Sequence, residues 1–200
     1  LLGFQSKDRD WVVVNSSPEE MERNGFKPIG KDFPVFLHPE TNEEYALART
    51  ERKSGVGYKG FEFYFDSSVT LEDDLKRRDF TINSIAKDEN GNIIDMFNGV
   101  IDLNNRILRT PLPPMKTLMD DPLRMIRGLR FSITKGFTFD DELWECMQEP
   151  GLLRKLEDVV SQERIREEVT KMFKHDTLKS LNLLRTIPGL MEVILKDGLW

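Results

Sequence analysis

Residues 7–14 read KDRDWVVV, two carboxylates two positions apart at the mouth of an apolar run. On an extended backbone alternate side chains share a side, so Asp8 and Asp10 project together while the valines build a strand. Acidic groups held side by side repel, and they persist in water or with a cation between them. Taken alone the stretch is a polar turn entering a strand, with Lys7 and Arg9 softening the repulsion, because short motifs recur by chance. The rest of the chain must decide between a turn and a cation site.

Moving outward, the spacing predicts strands at Val12–Val14, Val35–Leu37, Tyr45–Ala48 and Phe61–Phe65, bounded by Pro, Gly and Asn. Ser17-Pro18-Glu19-Glu20 predicts a capped helix running to about Asn24. Thr70 with an acid three residues later predicts a second helix opened by a capping box. Asn90-Gly91 ahead of Ile93-Ile94 is a hairpin signal. After TPLPP (110–114) the texture turns helical. From Asp121-Pro122 onward Leu123, Ile126, Leu129 and Ile133 recur at helical spacing, followed by Leu143 and Met147, then Ile165, Val169 and Met172. A boundary is expected near residue 112, with an α+β head before it and helices after it.

The totals constrain function. Two hundred residues, 38% hydrophobic and 32% charged, suffice for a substantial core. The single cysteine, Cys146, excludes an internal disulfide and suits a reducing compartment; a small buried thiol is its expected role. His38 and His175 lie too far apart for a metal-ligand spacing. No membrane-length apolar run or signal peptide is evident. A net charge of −6 argues against a chain that coats nucleic acid indiscriminately, so any such contact must be local.

Two further stretches carry chemistry. In LEDDLKRRDFTINSIA (71–86), Leu71, Leu75, Ile82 and Ile85 form an apolar stripe, with Arg77, Arg78 and Asp79 on the opposite side. That pattern is either a solvated helix face or a pair of arginines gripping phosphates while Asp79 and Asn83 bond sugar hydroxyls. In DDPLRMIRGLRF (120–131), Asp121, Arg124 and Arg127 lie three apart, as neighbours on one helix face. They are either a surface ion pair or a base reader. A carboxylate only accepts and a guanidinium only donates. Cytosine and adenine both present an amino donor beside a ring-nitrogen acceptor, and guanine and uracil present the reverse. An Asp-Arg pair therefore suits C and A and leaves G and U mismatched.

A carboxylate pair for metal, a phosphate-and-ribose grip and a base reader together are what nucleotidyl transfer to nucleic acid needs. The chain resembles the class II tRNA nucleotidyltransferase (CCA-adding enzyme) and bacterial poly(A) polymerase family along nearly its whole length. The stretches that carry the likeness are LLG…KDRDW, GKDFPVFLHPET, EEYALARTERK, LEDDLKRRDFTINSIA, DMFNGVIDLNNRILRT, DDPLRMIRGLRF and QERIREEVTKMF, specific in their order and spacing.

The resemblance implies an α+β, polymerase-β-like nucleotidyltransferase head over residues 1–112, an all-α neck over 113–175 and the start of a helical body over 176–200. It implies Mg²⁺ held by Asp8 and Asp10, with Glu44 as a third catalytic carboxylate. It places Arg78, Asp79 and Asn83 on triphosphate and ribose, puts Asp121, Arg124 and Arg127 on the base, and makes QERIREE the helix that buttresses them. CTP and ATP would be the substrates and a tRNA 3′ end the acceptor, in the cytoplasm or in an organelle of a eukaryotic source, with no membrane partner.

Departures from the family are specific. Its Gly-Gly-x-x-Arg-Asp motif, which helps hold the triphosphate, belongs just upstream of LLG, and the chain starts after it, without a methionine. Further residues are expected before Leu1, and the tRNA-holding body and tail after Trp200. The missing motif counts against activity of these 200 residues by themselves. Asp120 replaces a frequent Glu, Met96 a frequent Pro, and Ser84 a usual Ala. Poly(A) addition is the second reading, because these motifs are largely shared; KDRDWVVV and ARTERKSGVGY favour CCA addition. A non-catalytic RNA-binding fragment is a third. An Asp-x-Asp phosphatase is set aside, since its acids follow an apolar strand rather than precede one.

Overall fold

The computed structural model describes residues 9–29, 35–53, 61–64 and 67–196. They pack as two compact units, the chain passing from the first to the second between Arg77 and Arg78.

The first unit contains, in chain order, β1 (Asp10–Val13), α1 (Pro18–Arg23), β2 (Lys27–Pro28), β3 (Val35–Leu37), β4 (Glu44–Leu47), β5 (Thr50–Lys53), β6 (Phe61–Tyr64) and α2 (Leu71–Lys76). Four strands form a mixed sheet in the order β1-β4-β3-β2. Within it β1 runs parallel to β4, while β3 is antiparallel to both of its neighbours. A separate antiparallel pair, β5–β6, completes the strands. Both helix starts follow from local chemistry. Ser17 Oγ accepts the Glu20 amide at 3.3 Å with Pro18 beside it, and Met21 is the residue that α1 buries. Ahead of α2, Thr70 Oγ1 accepts the Asp73 amide at 3.1 Å and Asp73 Oδ2 accepts the Thr70 amide at 3.1 Å, a complete capping box. Strand alternation sends Val13, Tyr45 and Leu47 to a small core with Met21, Phe26 and Phe36. Asp10, Val12, Glu44 and Ala46 therefore face the other way.

The second unit opens with a 3₁₀ turn at Thr81–Asn83. It continues through β7 (Ile85–Lys87), β8 (Ile93–Asp95), α3 (Gly99–Asn105), β9 (Ile107–Leu108), α4 (Pro114–Asp120), α5 (Leu123–Lys135), β10 (Thr138–Phe139), α6 (Asp141–Met147), α7 (Pro150–Val159), α8 (Gln162–His175), α9 (Thr177–Leu184) and α10 (Leu190–Leu195). The β7–β8 hairpin turns through Gly91 at φ +89°. Leu123, Ile126 and Leu129 of α5 and Ile165, Val169 and Met172 of α8 are all buried, so the helical spacing marked the true core faces. Among the described residues no helix is long and apolar enough to cross a membrane.

The structure differs from expectation in four places. Residues 71–86 are not one helix: α2 ends at Lys76, and the Asp79 carboxylate takes the Phe80 amide at 2.8 Å. The buried Phe80 belongs to the second unit's core, which draws the chain out of helix. Helix begins before Asp121, with α4 starting at Pro114. The helical half also contains a strand, since Gly136 ends α5 at φ +71° and β10 then pairs in parallel with β9. The boundary expected near residue 112 lies inside this second unit, where Phe80 and Leu108 share a core with the helices.

Candidate functional site

In the first unit, parallel pairing sets Asp10 directly beside Glu44, one register position from the stacked rings of Trp11 and Tyr45 (5.3 Å, 10° between planes). Both carboxylates are exposed. Like charges on adjacent strands destabilise a sheet, and a cation between them removes that cost. Two hard carboxylate donors side by side are the kind of set that Mg²⁺ takes, so the residues present fit the metal that the resemblance implies. Asp8, the remaining carboxylate of that expectation, lies outside the described residues. Among the described residues no cluster of three His, Cys, Asp or Glu side chains is placed to hold a metal.

The second unit brings Asp79, Asn83 and Arg127 together. Asp79, only 7% exposed, accepts from the Phe80 amide and, at 2.9 Å, from Asn83 Nδ2 through one oxygen. Through the other it accepts from Arg127 Nε and Nη2 at 2.9 and 2.7 Å. Burial works against the Arg127 charge, but Asp79, then Glu168 and Asp121, more than offset it and raise its pKa. Arg78 donates Nη1 to the Asn83 carbonyl at 3.2 Å, at the same turn. The 48 positions that separate Asp79 from Arg127 are bridged by one core, with Phe80 packing edge-on against Phe131 of α5.

Asp121 does not share a helix face with Arg124 and Arg127. Its backbone is extended (φ −137°, ψ 99°), closing α4 one residue before Pro122. Its Oδ1 accepts the Leu123 amide at 3.2 Å, and Oδ2 accepts from Arg164 Nη2 of α8 at 3.2 Å. Arg124, in the first turn of α5, donates Nη1 to the Thr117 carbonyl at 3.2 Å. That carbonyl also receives the Asp121 amide at 3.4 Å, so both residues of the expected base reader hang from the end of α4.

Arg77 parts company with Arg78. It stays in the first unit, where Nη2 meets Asp74 Oδ1 at 2.6 Å and Nε meets the Arg49 carbonyl at 3.2 Å. Asp74 is 1% exposed, so this arginine serves an internal ion pair.

The family resemblance implied that α8 is a buttress, without giving its contacts; the structure gives α8 two ion pairs with other elements. They are Arg164 on Asp121 and Glu168 on Arg130, and Arg130 lies over the Phe131 ring at 4.3 Å. Burial disfavours the Glu168 carboxylate, but the Arg130 hydrogen bond and charge, with Lys171, hold its pKa below the usual value. Cys146 is half-buried against the core, and burial followed by the Glu142 charge raises its thiol pKa.

Comparison with known proteins gives a consistent result. The profile of the Poly A polymerase head domain matches residues 1–109. The Bacillus stearothermophilus CCA-adding enzyme in complex with CTP is 27% identical with a TM-score of 0.74, over 97% of this chain and 50% of that one. A tRNA nucleotidyltransferase complexed with a primer tRNA and an incoming ATP analog is 26% identical with a TM-score of 0.71, over 100% and 57%. The apo form I of a tRNA-processing enzyme is 26% identical with a TM-score of 0.72, over 100% and 51%. The chain spans about half the length of the solved structures it matches.

Proposed function

The chain belongs to the CCA-adding and poly(A) polymerase family of nucleotidyltransferases, and on that premise we propose that it is the nucleotide-selecting half of an enzyme that adds C, C and A to tRNA 3′ ends from CTP and ATP. The observation that carries the reading is the in-register pair of exposed carboxylates Asp10–Glu44 on adjacent strands. Mg²⁺ held there, with Asp8 completing the set, would activate the attacking 3′-hydroxyl and steady the leaving pyrophosphate.

The remaining work is positioning. Arg78 supplies guanidinium donors for phosphate oxygens, and Arg127, which belongs with Asp121 and Arg124 on the base, is kept in place by Asp79. Asn83 presents its side-chain amide to the ribose hydroxyls from a turn that Asp79, its own oxygens already accepting four hydrogen bonds, holds in place. Asp121 offers a lone pair to the base amino group and Arg124 an N–H to the ring nitrogen, so cytosine and adenine are accepted on the same edge. Arg164 holds the Asp121 carboxylate in one orientation. The acceptor would be a tRNA lacking its 3′ end, engaged through local charge rather than the net −6 of the chain.

A four-nucleotide competition assay on such a tRNA, with the full-length protein, tests the proposal. The parent should incorporate C and A, and Asp10→Asn should abolish incorporation without unfolding the protein. Arg124→Ala and Asp121→Ala should each lose about ten- to a hundredfold in discrimination against U and G, the worth of a hydrogen bond to a charged group. Retained turnover in Asp10→Asn sinks the metal assignment. An unchanged C and A preference in both of the other variants returns Asp121 and Arg124 to surface ion pairing. A long product made from ATP alone would replace CCA addition by poly(A) addition.

A further inference from the structure

The buried carboxylate Asp102 has no part in the chemistry so far. It lies on α3, 4% exposed, within the stretch DMFNGVIDLNNRILRT, which carried resemblance but no role. Its Oδ2 accepts the Thr81 hydroxyl at 2.7 Å, and the Arg109 guanidinium reaches both of its oxygens, at 3.3 and 3.4 Å. Arg109 also meets Asp140 Oδ1 at 2.6 Å. Thr81 is the first residue of the turn that follows Asp79 and ends at Asn83.

Three further contacts clamp this residue. The Thr81 amide donates to the Arg109 carbonyl at 2.8 Å, and its carbonyl accepts the Ser84 amide at 2.9 Å. The first turn of α3 also approaches so closely that a Cβ on Gly99 would lie 2.1 Å from the Thr81 carbonyl oxygen. Asp79 is fixed on one side by Arg127, and the turn that aims Asn83 back at it is fixed on the other by Asp102. A buried acid held by one hydroxyl and one guanidinium is a costly device, since burying a charge needs partners on every side.

We propose that Asp102 and Thr81 are positioning residues for ribose recognition: their hydrogen bond sets the turn so that Asn83, steadied by Asp79, meets the sugar hydroxyls. This rests on the nucleotide reading above and adds to it a relay from α3 to the sugar. The turn's orientation, and hence selectivity for ribose over deoxyribose, depends on a hydroxyl that never touches substrate.

The test compares kcat/KM for CTP and 2′-deoxy-CTP in the full-length protein carrying Thr81→Val, Thr81→Ser or Asp102→Asn, with circular dichroism to verify folding. Thr81→Val keeps the shape and removes the hydroxyl, so the ribose preference should fall about three- to tenfold, the worth of one ordinary hydrogen bond. Thr81→Ser should restore it. Asp102→Asn keeps an acceptor for Thr81 but weakens the hold of Arg109, and should fall in between. A purely structural role would move thermal stability and leave the ratio unchanged. A parental ratio in folded Thr81→Val, or the same loss in Thr81→Ser as in Thr81→Val, overturns the proposal while the nucleotide reading stands. A parent that uses neither nucleotide overturns both.

Discussion

Adjacent arginines with the same chemistry have separate duties, and the residue scale shows why. Arg77 and Arg78 look interchangeable in KRRDF. Arg77 is committed to Asp74, which lies in the first unit with its charge almost wholly out of water. The expectation is that Arg77 is the more dispensable of the two for nucleotide contact and still indispensable to folding. Removing one partner of a buried ion pair costs about 3–5 kcal/mol. Arg77→Ala should therefore lose about 3 kcal/mol in urea unfolding, and a loss below about 1 kcal/mol would show that Asp74 does not depend on it. The motif located both arginines but could not separate them, because what separates them is a partner 28 residues away, the Arg49 carbonyl, and a change of unit between neighbours. Arg164 was hidden for the same reason: its link to Asp121 spans 43 positions and has no periodicity.

At the scale of elements, α2 shows which signals are local. Its capping box was legible because the donor and acceptor chemistry lies within four consecutive residues. Asp73, held first by the Lys76 side chain and then by the Thr70 hydroxyl and amide, has its pKa lowered from 3.8 to about 2. A carboxylate depressed in the folded state contributes stability above its unfolded value and loses it as pH falls through the folded one. The first unit should thus lose stability between about pH 4 and pH 2. Asp73→Asn should flatten that limb of a pH titration of unfolding while lowering the plateau above it. An identical acid limb in the variant would mean that other carboxylates set it. The two-residue strands β2, β9 and β10 had no comparable signal, since each is defined by a partner strand rather than by its own pattern.

On the scale of the molecule, two hydrophobic clusters are found among the described residues, and the larger is the one the helical spacing foretold. Leu129 is fully buried between α5 and its neighbours. Leu129→Ala should cost about 3 kcal/mol, from lost transfer energy and the cavity left behind. Hydrogen exchange should show the loss in the amides of α5 and α8, with β1 and β4 unchanged. Equal loss of protection in β1 would indicate a single cooperative body. The spacing that found this core could not show that residues 78–112 belong to it, because Phe80 and Leu108 contribute as isolated apolar residues in short, irregular elements.

The stacked pair Trp11–Tyr45 also makes the protein its own optical gauge. Trp11 follows Asp10 in the chain and Tyr45 follows Glu44, so the ring stack lies one residue along from the two carboxylates. Its indole Nε1 is buried without a hydrogen-bond partner among the described residues, which makes its emission sensitive to any shift of the strands. Trp144 sits against Phe139 in the second unit. Replacing Trp200 and one of these two by Phe leaves a single emitter in a chosen half. If the proposed function holds, cation binding beside Asp10 and Glu44 and rearrangement of the second unit then become separate fluorescence signals from unlabelled protein.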